Sequence, residues 1–297
     1  MIGWMLAMSL GSADPDSVQA VIGAERAFAT EAGKSGVAAS FQQYAAPEAV
    51  VLRPDPVSVA KSFAGRPTNP NAPVLDWWPQ WAGIARSGDL GFTTGPFTVG
   101  GEKGGYYFTV WKKQADGSWR WIFDGGPPSA VPDNARKGEK VAVLPRATRA
   151  AGSAARALAE ITTVEAALAS KARTDAAAAY RPVMAPEGRL AGSELAPSNG
   201  SAGQAAELKT RPAQLNLSNL GRVSSAAGDM VWSFGDACWT AAEGPRRGHY
   251  VRLWQDRSIG WRLVFDELLP VPAAQTGACP APAARRAPVA PIRRGVG

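Results

Sequence analysis

Much of this 297-residue chain is written twice, at an offset of about 140 residues. Glu25 in VIGAERAFAT recurs as Glu165 in ITTVEAALAS. Ala46-Pro47-Glu48 recurs as Ala185-Pro186-Glu187, and Ser87-Gly88-Asp89-Leu90 as Ala227-Gly228-Asp229-Met230. GYYFTVW at 105–111 returns as GHYVRLW at 248–254, and WRWIFD at 119–124 as WRLVFD at 261–266. Single matches arise by chance, but five in one order and one register do not. The chain therefore divides into two copies of one domain, 14–130 and 154–272, joined by a linker, 131–153.

Each copy begins with helical periodicity. Val18, Val21, Ile22, Glu25, Phe28 and Ala29 fall on one helical face, and Ala154 to Arg173 is dense in alanine, the strongest helix former. Ala49-Val50-Val51-Leu52 reads as a short strand stopped by Pro54 and Pro56. The Trp-rich stretch Leu75 to Arg86 is expected to be a short helix starting near Pro73. Three strands follow, Leu90–Phe97, Gly105–Gln114 and Ser118–Asp124, the last two joined by the Ala115-Asp116-Gly117 turn. Helices followed by successive antiparallel strands define an α+β domain.

The net charge of +7 suggests a nucleic-acid partner until it is divided along the chain. Residues 14–130 carry 10 basic and 11 acidic groups and residues 154–272 carry 13 and 12, so both copies are near neutral. The excess lies in the linker and in Arg285, Arg286, Arg293 and Arg294, which excludes the basic folded face of a nucleic-acid binder. No apolar run approaches the ~18 residues of a membrane span. Two Cys and one His argue against a zinc site, and no phosphate loop, dinucleotide fingerprint or Gly-x-Ser-x-Gly occurs, so no cofactor is expected. Residues 1–13 are apolar and end in small residues, with Gly11 and Ala13 spaced as before a signal-peptidase cut, although no Lys or Arg precedes the run. The expectation is an export signal and a periplasmic or secreted protein, with a cytoplasmic location as the alternative. Cys238 and Cys279 are left as either a disulfide or two separate thiols. The tail 273–297, rich in Pro, Ala and Arg, has the composition of a disordered spacer.

The end hairpin YYFTVWKKQADGSWRWIFD, with its Tyr-x-x-Val-Trp, Asp-Gly-x-Trp and terminal Asp, resembles the nuclear transport factor 2-like (NTF2-like) superfamily in its DUF4440 and SnoaL-like branches. The resemblance covers both copies. It implies two tandem cone-shaped domains, each with N-terminal helices packed on a curved antiparallel sheet around an internal pocket. Members pair sheet to sheet as dimers, which here implies an intramolecular pseudo-dimer and a monomeric chain. Family ketosteroid isomerases carry a catalytic carboxylate before a Pro at the end of the first strand. That position is Arg53 here, near Gly192 in the second copy, and their helix-one tyrosine aligns with Arg26 or Phe28. The isomerase base and oxyanion donor are thus missing, which counts against that mechanism.

Strand parity and the family comparison select the pocket residues. Resemblance to the association domain of calmodulin-dependent kinase II, through its Thr-Arg-Val-Trp strand, turns Thr109 and Arg252 inward. Tyr107 and Trp111, and Tyr250 and Trp254, share that face. Tyr106 and Phe108 take the opposite face, an apolar surface that needs a partner. On the final strands Arg120, Ile122 and Asp124, with Arg262, Val264 and Asp266, are expected inward. Asp124 and Asp266 are either pocket carboxyls with raised pKa or strand-end groups paired with arginine. Arg53 and Arg252 either bind an anionic or carbonyl group or form those same pairs. Trp77, Trp78 and Trp81, without counterpart in LKTRPAQLNL of the second copy, are either core or an aromatic wall. His249 is read as a packed or surface residue.

These residues give a candidate ligand set of Arg53, Trp77, Tyr107, Thr109, Trp111, Asp124, Tyr250, Arg252 and Asp266, with no metal. The leading expectation is an exported protein binding a small molecule of unknown identity in an aromatic pocket of the first copy. One alternative is a cofactor-independent isomerase, dehydratase or hydrolase using Asp124 as acid/base. The other is an envelope scaffold.

Overall fold

The computed structural model describes residues 17–65, 72–129, 136–148, 152–197 and 200–275, together with Cys279. The expected export signal and nearly all of the tail lie outside the described residues. The chain is α+β, as its pattern of elements implies. In the first copy, α1 (Val18–Ser35) and α2 (Val37–Tyr44) lead into β1 (Ala45–Leu52), β2 (Pro56–Ser58) and α3 (Val59–Phe63). Then follow β3 (Leu75–Trp77), β4 (Trp81–Ile84), β5 (Leu90–Val99), β6 (Glu102–Lys113), β7 (Trp119–Gly125) and β8 (Ala142–Val143). The second copy holds α4 (Ala154–Ala172), α5 (Ala176–Tyr180), β9 (Met184–Ala191), α6 (Gly200–Thr210), β10 (Asn216–Ser224), β11 (Met230–Ala241), β12 (Gly244–Arg257) and β13 (Gly260–Pro270).

The two sheets share one strand order. The first runs β2-β1-β7-β6-β5-β4-β8, with β3 also on β5, and the second runs β9-β13-β12-β11-β10. In both, the first strand joins the last in parallel and the remaining neighbours named here, apart from the β4–β8 pair, are antiparallel. Each long helix lies on its own sheet. Val21, Glu25, Phe28 and Ala32 are buried along α1, and Ile161, Glu165, Leu168 and Ala172 along α4, at matching positions.

The Leu75 to Arg86 segment is not the expected helix but the strands β3 and β4, antiparallel to β5. Pro79, inside the segment, interrupts helical hydrogen bonding, and Trp and Ile suit a pleated surface. The linker is more than a polar tether. β8 adds to β4, Val141 and Leu144 are buried, and Pro145 O accepts from Gln255 Nε2 at 2.8 Å.

One break in strand parity occurs at the same place in both copies. Val110 pairs with Phe123 and Trp111 with Trp121, which leaves Ile122 as an extra residue. Leu253 pairs with Phe265 and Trp254 with Leu263, which leaves Val264 extra. The bulge turns Ile122 and Val264 outward beside Phe123 and Phe265, contrary to the inward expectation. Arg120 instead donates to the Gln43 carbonyl, and Arg262 Nη1 to the Trp261 carbonyl at 2.9 Å.

Those outward faces meet. Phe92, Phe108, Val110, Phe123, Trp232, Val251, Leu253 and Phe265 belong to one buried cluster, in which Phe108 and Phe265 stack with centroids 3.9 Å apart. At its edge the repeated Gly-Asp turns clasp each other. Arg86 N donates to Asp229 Oδ2 and Ala226 N to Asp89 Oδ2, each at 2.9 Å. Gly88 and Gly228 occupy left-handed positions with φ of 67° and 65°, so both turns require glycine. The two turns exchange these contacts reciprocally, each giving a main-chain amide to the other's carboxylate. Phe108→Ala should cost about 3–5 kcal/mol of stability, and Asp229→Ala about 1–3 kcal/mol, read as shifts of the urea midpoint.

Candidate functional site

A cavity of about 750 Å³ opens beside the first sheet. Its walls are mostly apolar: Phe41, Val51, Leu52, Leu75, Trp77 and Phe97 from the first copy, and Leu269, Pro270 and Pro272 from the second. Tyr107 and Asp124 supply polar atoms from β6 and β7. Arg53 stands at the end of β1, its guanidinium 4.7 Å from the Phe63 ring centroid. Of the expected ligand set, Arg53, Trp77, Tyr107 and Asp124 line this space.

Behind the Trp77 wall lies a carboxyl that the sequence places on the helical face but not in the candidate ligand set. Glu25 is fully buried and accepts from Trp77 Nε1 at 2.5 Å, Trp111 Nε1 at 2.9 Å and the Thr93 hydroxyl. None of these donors is a cation, and burial raises the Glu25 pKa against their opposing effect. Its helical position, an acidic residue inside an apolar stripe and repeated in α4, was the available signal. Thr109 Oγ1 donates to Asp124 Oδ2 at 2.7 Å. Desolvation and then the negative Glu25 push the Asp124 pKa up to about 8, against the lowering effects of Thr109 and of Arg53 through space. Asp124 is therefore mostly a neutral acid at pH 7. The Tyr107 phenol is held well above its usual pKa by burial and by Glu25.

Thr109 and Trp111 hold these carboxyls instead of lining the cavity. The second copy departs further from expectation. Tyr250, Arg252 and Asp266 are buried with their polar groups engaged. Arg252 Nε meets Asp266 Oδ2 at 2.7 Å and its Nη2 meets the Tyr180 hydroxyl at 2.5 Å, while its guanidinium stacks 3.8 Å from the Tyr250 ring centroid. Arg211, just after α6, pairs with the other oxygen of Asp266. Arg222 reaches Glu165 at 2.7 Å, and Ser233 and Trp254 complete that carboxylate's shell. Tyr250, Arg252 and Asp266 thus lie in a filled ion-pair core and line neither of the two pockets described. Among the described residues a pocket of about 170 Å³ lies beside Arg211 and Trp239. Arg211 and Arg222 escaped the sequence reading because they come from segments with no motif match to the first copy.

The Trp trio also separates. Trp77 faces Glu25 and the cavity, while Trp81 enters the shared core, where the Arg189 guanidinium lies 4.6 Å from its ring centroid. His249 is buried, with Nε2 3.3 Å from Asp55 and Nδ1 3.1 Å from Asp236. Arg247 also pairs with Asp55 and holds its carboxyl below the usual range. The described residues contain no cluster of His, Cys, Asp and Glu able to hold a metal ion.

No family model matches the chain, and no curated protein does. Similar solved structures include an NTF2-like protein of unknown function from Pseudomonas putida, at 11% identity and TM-score 0.34, covering 43% of this chain and 96% of that one. A ketosteroid isomerase-like protein from Erwinia carotovora atroseptica matches at 16% identity and TM-score 0.34, covering 39% and 96%. A protein of unknown function with a cystatin-like fold from Nostoc punctiforme matches at 15% identity and TM-score 0.32, covering 39% and 92%.

Two outcomes follow from the contrast between copies. Asp124 keeps its proton in the folded chain up to about pH 8, whereas an unfolded aspartate loses it near 3.8. Folding stability should therefore fall as pH rises through that window, and Asp124→Asn should flatten the fall in urea midpoint between about pH 5 and pH 8.5. Arg222→Ala, which removes the nearer of the two arginines that reach buried Glu165, should cost about 1–3 kcal/mol in the same measurement.

Proposed function

We propose that the chain is a tandem NTF2-like protein whose first copy binds a small, largely apolar molecule bearing a hydrogen-bond acceptor. One observation carries this reading. In the second copy Arg211, Arg222 and Arg252 pair with Asp266 and Glu165, and the pocket described beside Arg211 measures about 170 Å³. The first copy holds Glu25 and Asp124 on neutral donors beside about 750 Å³ of apolar space. Buried carboxyls without a cation in contact are costly, and such perturbed groups cluster at functional sites. A protonated Asp124 is a hydrogen-bond donor, and the neighbouring Tyr107 phenol is a second, so a ketone or phenolic oxygen can be received between apolar walls.

The test is a thermal-shift screen of the full chain with ring ketones and phenols. Stabilisation by a hit should fade as pH rises through about 8 in the wild type and persist in Asp124→Asn, whose amide still donates. Absence of any hit, with melting unaffected by pH, removes the reading.

A second reading is favoured by the same carboxyl. A group titrating near neutral pH is suited to general acid or base work, so the cavity fits a cofactor-independent isomerisation, dehydration or hydrolysis with Asp124 transferring the proton. In that case Asp124→Asn abolishes turnover of a bound compound while leaving its thermal shift intact. The second copy then has a structural role, completing the core and one wall of the cavity. The Cys238–Cys279 disulfide supports a place in an oxidising compartment, periplasmic or secreted. The intramolecular two-fold core supports a monomer, and light scattering should give a mass close to that of one chain.

A further inference from the structure

The cavity of the first copy and the pocket beside Arg211 share one strip of chain. Gly192, Ser193 and Pro270 line both the space of about 750 Å³ and the space of about 170 Å³. The end of β13 runs between them. Leu269 lines the cavity and its neighbour Leu268 lines the pocket, because successive strand residues point to opposite faces. The strip is thin. Gly192 has φ of 129°, and a Cβ there would collide with the Leu268 carbonyl, so only glycine lets the two segments lie this close. Glu207 fixes Ser193 in place, accepting from its amide at 3.2 Å and from its hydroxyl.

The smaller pocket has one polar position left unfilled. Arg211 and Glu207 are buried and both line it. The Arg211 Nη1 pairs with Asp266, and its Nη2 donates to the Ala191 carbonyl at 3.0 Å. Its Nε has no hydrogen-bond partner among the described residues, and a buried donor left in that state is costly. Glu207 Oε1 lies 3.8 Å from Nε, beyond hydrogen-bonding distance. A hydroxyl oxygen spans such a gap, accepting from Nε and donating to Oε1 with both legs at about 2.7–3.0 Å. An added carboxylate would face Glu207 and an added ammonium would face Arg211, so a neutral hydroxyl is the group that fits. We propose that cavity and pocket form one elongated site for an apolar ketone whose far end carries a hydroxyl. The ketone oxygen is received at Asp124 and Tyr107, the apolar body fills the cavity, and the hydroxyl crosses the Ser193–Pro270 strip to bridge Arg211 and Glu207. The proposal rests on the reading of the first copy's cavity as a ligand site. The second copy thereby selects the ligand for length as well as polarity, since a short ketone fills the cavity without reaching Arg211.

The experiment is titration calorimetry on the full chain with butyl, hexyl and octyl phenyl ketones, their ω-hydroxy derivatives and the matching ω-methoxy ethers. Thr210→Trp fills the smaller pocket from an exposed position that does not line the cavity. In the wild type the best hydroxylated ketone should bind at least about tenfold tighter than its parent, the effect of a hydrogen bond to charged groups. That gain should vanish in Thr210→Trp with parent affinity unchanged, and in the ether, which accepts from Nε but cannot donate to Glu207. If the variant loses the parent ketone or fails to fold, the ether comparison decides. A smaller gain at every chain length, or one that survives in the variant or the ether, overturns the elongated site and leaves the cavity reading standing. Binding of none of these ketones overturns both.

Discussion

Everything in this chain is arranged around two apolar sheet faces that cover each other. Each sheet has one side closed by its own helices, through Phe28 and Trp111 in the first copy and Leu168 and Trp254 in the second. The other side carries Phe108 and Phe123, or Val251 and Phe265, and would expose more apolar area than a lone domain tolerates. Burying the two sides together satisfies both. The bulges at Ile122 and Val264 widen these faces, and the paired turns at Asp89 and Asp229 set their register. Main-chain amides at 86 and 226 gain acceptors that only the opposite copy can provide, which makes the alignment specific as well as apolar.

Within that shared frame the two copies have separated by charge compensation. Both keep a glutamate on the first helix, a Trp on β6 or β12 and an aspartate on the strand paired with it, β7 or β13. In the second copy arginines from β10, β12 and the turn after α6 occupy the interior, and their guanidinium groups satisfy carboxylates that would otherwise stand in a low dielectric. In the first copy Trp77 fills part of the corresponding role with an uncharged N–H, and Thr109 serves Asp124. There desolvation and then Glu25 raise the Asp124 pKa against the effect of Arg53, and the space beside it stays open. The cavity and the raised Asp124 pKa are two consequences of one difference.

Legibility in the sequence followed the range of the physics involved. The helix stripe around Glu25 and the alternation of GYYFTVW reflect local geometry, so the α+β class and three long strands of the first copy could be read directly. The Trp77 to Ile84 segment could not, because its strand state depends on β5 lying beside it. Asp124 was identified by its place at the end of a repeated strand, but its two possible states, paired or neutral, were indistinguishable. Arg53 sits near it without hydrogen-bonding it, while Asp266 meets two arginines, one of them more than fifty residues away in sequence.

The sequence by itself determined the α+β class and the residue types that face inward on unbroken strands, since these depend on periodicities of 3.6 and 2. Tertiary structure alone decided which face of Ile122 and Val264 is inward, because a bulge is a property of two paired strands. It alone joined Cys238 to Cys279 and brought Asp55 to Arg247. It also decided which copy keeps an open cavity. A cavity is the volume left over after long-range packing, and the arginines that remove it from the second copy arrive from segments with no fixed spacing to the carboxylates they neutralise.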